Sequence, residues 1–174
     1  MSVALTAFTF FHVALSLAGI FSGFVVVWGM LSAKRFEGWT AFFLATTVAT
    51  SVTGFLFPVH HFMPSHGVGI ISLLLLAVAI VARYRRHLAG SWRWIHVVSA
   101  VVALYLNFFV LIVQAFLKVP ALKAIAPTQS EPPFKITQLV ALAIFFAICV
   151  IAAIRFRPTG ATSAEVPLST ARSI

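Results

Sequence analysis

Acidic side chains are scarce in this chain, three against twelve Lys and Arg. The interiors of its long apolar runs hold no Lys, Arg, Asp or Glu. An ion-coupled pump built on buried carboxylates is therefore not expected. One cysteine, Cys149, excludes an intrachain disulfide, and the missing CxxCH pattern excludes covalent haem attachment. Phosphate loops, HExxH helices and GxSxG elbows are also missing. Charged residues make up only 9% of the chain. That is too little for a soluble domain of 174 residues, which keeps most of its surface wet.

What is abundant is apolar surface, with 61% hydrophobic residues and a mean hydropathy of +1.08. A bilayer is the solvent that fits, since about 20 mostly apolar residues cross its hydrocarbon. Five such segments stand out, near 8–32, 39–58, 66–83, 93–117 and 135–154. They predict an all-α, polytopic five-helix bundle over residues 1–157, followed by a disordered cytoplasmic tail over 158–174. The first segment has no basic n-region and no small-residue cleavage site, and so is expected to stay as a helix.

The excess of positive charge, which in a soluble protein would suggest nucleic acid, here sets topology. Lys34 and Arg35 lie in the first connection, Arg83, Arg85, Arg86 and Arg93 in the third, and Arg155 and Arg157 after the last segment. The second connection has none, and the fourth has Lys118, Lys123 and Lys135. The positive-inside rule puts the N-terminus outside and the C-terminus inside. Trp39, Trp92 and Trp94 fall at the inner boundary, where interfacial tryptophans belong. No nucleic acid is expected as a partner. Membrane lipids are, and so is a homo-oligomer or a larger membrane complex.

The second connection, FPVHHFMPSHG, puts three histidines between prolines. Climbing about 20 residues, or roughly 30 Å, from each inner boundary brings His12, His60, His61 and His66 to one depth on the outer side. The proline-rich loop bearing Gln129 and Glu131 hangs over the same face. His12, Ser16, Gly19 and Gly23 step by four, three and four residues, which is one helical stripe. Gly19 and Gly23 let a second backbone approach closely. Thr46, Thr50, Thr53 and Gly54 of the second segment complete a small, polar interior.

Imidazoles at that depth suit a transition metal, held by three or four of His12, His60, His61 and His66, with Glu131 as a further ligand. The same histidines suit a b-type haem, with His12 facing His60 or His61. A solvated turn that binds nothing would use them equally well. A second stripe, His96, Ala100, Ala103, Asn107 and Gln114, suggests a polar path for a small permease. The third alternative is a cofactor-free interaction subunit that docks through the Gly19/Gly23 face. RYRRHLAGSWR fixes topology or meets anionic headgroups. Catalytic residues are not evident.

The stretches GWTAFFLATTVATSVTGFLFP, PSHGVGIISL and KVPALKAIAPTQSEPPF resemble a group of small bacterial inner-membrane proteins with no assigned activity. The resemblance covers nearly the whole chain apart from the tail. It implies a multi-pass protein of the bacterial inner membrane and carries over no site residue.

Overall fold

Proline, glycine and charge set the helix ends. The structure is a computed structural model that describes residues 3–57 and 64–157. Helix α1 spans Val3–Leu31, α2 Glu37–Gly54, α3 Pro64–Ile80, α4 Trp92–Lys118, α5 Pro120–Ile125 and α6 Pro132–Arg155. Pro64, Pro120 and Pro132 each open a helix, where a missing N–H costs nothing. Helix α1 closes with the Ala33 N–H on the Met30 carbonyl (3.2 Å) and the Lys34 N–H on Gly29 (2.8 Å). This is a Schellman pattern, with Ala33 held at φ 55° where glycine is usual. A π turn, Val81–Arg85, extends α3.

Helix α4 is the hub, packing on α1, α3, α5 and α6, while α2 lies between α1 and α3. The core between them is aliphatic and aromatic, built on Val27, Phe43, Leu76, Val97, Leu104 and Phe156. The outer surface is just as apolar. Phe10 is 72% exposed, Phe146 69% and Trp28 68%. Exposed rings at this density belong against acyl chains, not water. Helices α1, α4 and α6, and α3 continued through the π turn, are long and apolar enough to cross a membrane.

Helix α2 is different in kind. Its 18 residues carry five threonines and a serine. Thr40, Thr46, Thr50, Ser51 and Thr53 each donate to the carbonyl four residues back, at 2.7–3.0 Å. Such bonding satisfies a hydroxyl within its own helix. Among the described residues the bundle is all-helical, with four helices long and apolar enough to span a membrane, while the second segment is a threonine-rich helix between neighbours.

Lys34, Arg35, Arg83, Arg85, Arg86, Arg93, Arg155 and Arg157 fall at one end of the bundle, hereafter the basic end. All four tryptophans, including Trp28, sit there too. Arg86 lies over the Trp92 ring at 4.9 Å and Arg93 over Trp94 at 5.6 Å. Arg93 also donates to the carbonyls of Phe156 and Ala153, closing the C-terminus of α6. His60, His61 and the predicted tail over 158–174 lie outside the described residues.

Candidate functional site

At the end opposite the arginines, α1, α2, α3 and α4 surround a cavity of about 110 Å³. His12, Ser16, Thr47, His66, Ser72 and Asn107 form its polar wall, and Gly54, Phe55 and Gly69 part of its apolar wall. No lining residue carries a permanent charge. His12 and His66 come from different helices and line the same space.

His12 is held from two directions. Its Nδ1 is 2.8 Å from Thr53 Oγ1, and its ring meets Phe57 edge-on at 5.1 Å. The Thr53 hydroxyl also reaches the Ala49 carbonyl at 2.7 Å and the Thr50 carbonyl at 3.1 Å. With its proton on either carbonyl, it accepts from His12 Nδ1–H and leaves a lone pair on Nε2. His66 stacks on Phe55, ring centres 5.6 Å apart.

Deeper in the cavity the polar groups are incompletely matched. Ser16 Oγ donates to Asn107 Oδ1 at 3.0 Å. Asn107 Nδ2 and Thr47 Oγ1 are buried and have no partner among the described residues. Thr47 is the one α2 threonine that does not bond back to its own helix. Gly19 is why both can sit here. A methyl at that position would lie 3.1 Å from Thr47 Oγ1 and 3.3 Å from Asn107 Nδ2. Unmatched buried polar groups cost about 1–3 kcal/mol each.

The cavity closes toward the basic end. A methyl on Gly23 would sit 2.5 Å from Leu104 Cδ1 and 2.9 Å from Phe43 Cε2, so three helices touch with no gap. Gly19 and Gly23 thus admit helices of the same chain and are buried within it. The docking face expected for an interaction subunit is used internally.

The remaining candidates are scattered. His96 is wholly buried under the closure; its Nδ1–H donates to the Ala79 carbonyl (3.0 Å) just before the π turn. Its Nε2 has no partner among the described residues. Gln114 shares the stripe with Asn107 but is exposed. Of His96, Asn107 and Gln114, Asn107 alone lines the cavity.

Glu131 is committed to its own loop. Oε1 accepts from the Thr128 N–H (3.1 Å) and hydroxyl (2.8 Å), and Oε2 from the Ser130 N–H (3.0 Å). Desolvation pushes its pKa up, but these bonds together outweigh it and hold the carboxyl below its usual range. Gln129 turns inward and donates to the Val113 carbonyl at 2.9 Å. Among the described residues, no three His, Cys, Asp or Glu side chains gather as a metal-holding group. Gln138, which sequence reasoning passed over, is buried against α4 and donates to the Phe109 carbonyl at 3.3 Å.

No family model, curated protein or solved structure matches this chain.

Proposed function

We propose that this is a membrane-embedded binding protein whose cavity at the histidine end takes a small, uncharged polar ligand. The observation that carries the reading is the pair of unpartnered atoms, Asn107 Nδ2 and Thr47 Oγ1, beside a polar space in an otherwise greasy bundle. The amide offers a donor, the hydroxyl a donor or an acceptor, and His12 Nε2 an acceptor. The volume of about 110 Å³ corresponds to a few waters at roughly 30 Å³ each. Pockets for drug-sized ligands are roughly 300–1,000 Å³. A ligand of a few heavy atoms therefore fits better than a porphyrin. The Gly23–Leu104–Phe43 closure favours binding from one side over an open channel.

The test uses acetamide and glycerol as probes, with saturation-transfer NMR on the detergent-purified protein. Saturable binding of either that is lost in Asn107→Leu and Thr47→Val supports the reading. Equal binding by the wild type and both variants, or none by any, rejects it.

One observation favours a second reading. His12 and His66, on different helices, line one cavity. A zinc or nickel ion held by these imidazoles would use that arrangement. Elemental analysis should then show stoichiometric metal that falls away in His12→Ala and His66→Ala. Metal content unchanged in both would reject it.

We further propose that α2 also crosses the bilayer, giving five spans with the N-terminus outside and the C-terminus inside. At about 1.5 Å per residue its length is about 27 Å, close to the hydrocarbon thickness, and its hydroxyls are satisfied internally. The one-sided arginines and tryptophans support the orientation and fit a bacterial inner membrane.

A further inference from the structure

The basic end holds a second cleft, about 180 Å³ in volume, lined by Arg35, Glu37, Arg83, Tyr84, His87 and Leu88. Arg83 is only 6% exposed. Its Nη2 donates to Glu37 Oε2 at 2.6 Å, but its Nε is buried with no partner among the described residues. A guanidinium carries five donors in a planar fork, and burying one costs desolvation that several bonds must offset. Glu37 engages one nitrogen and is itself 67% exposed. Arg35 and His87, both exposed, stand at the rim. The cleft thus has two permanent positive charges against one carboxylate, and one of the positive charges forms its floor.

The geometry points to this cleft as a site for a phosphate group, supplied by an anionic phospholipid headgroup or by free phosphate. Phosphate oxygens match the guanidinium fork two at a time, which a single carboxylate oxygen does not. The depth also agrees. Trp28, Trp39, Trp92 and Trp94 share this end, the level at which interfacial rings meet headgroups. The inference is independent of the histidine-end cavity, because no residue is common to the two.

The experiment follows thermal unfolding of the full, delipidated chain in detergent. Three additions are titrated: phosphatidylglycerol, phosphatidylcholine and inorganic phosphate. Two variants are compared with the wild type. Arg35→Gln/His87→Gln strips the exposed rim, and Arg83→Lys keeps the charge while removing the fork. The expected result is saturable stabilisation by phosphatidylglycerol, with affinity at least tenfold weaker in both variants. Stabilisation by inorganic phosphate alone, equally variant-sensitive, identifies the free anion as the source. Equal effects of the two lipids, unchanged in the variants, overturn the assignment to this cleft. Should Arg83→Lys fail to fold, the rim variant decides. The inference is overturned if none of the three saturates, or if the folded variants respond as the wild type does.

Discussion

His12 Nδ1 lies 2.8 Å from Thr53 Oγ1, and that hydroxyl in turn donates to Ala49 at 2.7 Å. With the hydroxyl proton on that helix carbonyl, Thr53 accepts from His12 and favours its Nδ1–H tautomer. Thr53→Val keeps the shape and removes the acceptor. The expected loss is about 1 kcal/mol of stability. Nitrogen NMR of the His12 ring should change from a pure Nδ1–H tautomer to a mixture. A ring spectrum identical in the variant would contradict the assignment.

Among the described glycines Gly23 leaves the least room for a methyl, and its substitution separates packing from helix propensity. Alanine is the better helix former by about 1 kcal/mol. Its methyl would nevertheless meet Leu104 Cδ1 at 2.5 Å and Phe43 Cε2 at 2.9 Å. Overpacking of this kind costs about 1–3 kcal/mol. Gly23→Ala should therefore destabilise in denaturant titrations. Leu104→Ala made alongside should cost less than the two single changes added, because each makes room for the other.

Much of this was legible in the sequence because the bilayer imposes a ruler. Counting about 20 residues per span brought His12 and His66 together, and both line one cavity; the steps from His12 to Gly23 gave a stripe whose glycines are buried against other helices. Two things were not legible. Thr47 looks like its neighbours Thr46 and Thr50, and only coordinates reveal that its hydroxyl has no carbonyl to bond. Gln114 obeys the period of its stripe, but period fixes a face and not whether a neighbour covers it. Glu131 did have a signal. The T-x-x-E spacing from Thr128, before an apolar run, is the pattern of a carboxylate that bonds backward to its own chain, and it argues against a ligand role.

The Ala33 turn offers a stabilising change. At φ 55° an L side chain is strained, and the Schellman bonds that hold it there cost glycine nothing. Ala33→Gly should raise stability by about 0.5–1 kcal/mol after the added freedom of the unfolded chain is counted. Thermal unfolding in detergent measures it. A decrease would mean that the Ala33 methyl makes packing contacts worth more than the strain.

Glu131 supplies a pH dependence whose sign follows from its bonds. Its carboxyl is held below the usual value, so the folded loop binds the proton less readily than the unfolded chain does. Its stabilising effect is complete above the ordinary glutamate range near about 4.3 and is lost as pH falls through the lower, folded value. Slow exchange of the Thr128 and Ser130 amides, which donate to the carboxylate, should therefore speed up on acidification, once corrected for intrinsic exchange. Glu131→Gln should remove that pH response while leaving the packing of α6 on α4 intact. The carboxamide keeps one acceptor oxygen but loses the charge that attracts two N–H groups and a hydroxyl together. If the variant's exchange still tracked pH as the wild type's does, the titrating group would have to be another, and the loop would owe its shape to its prolines alone.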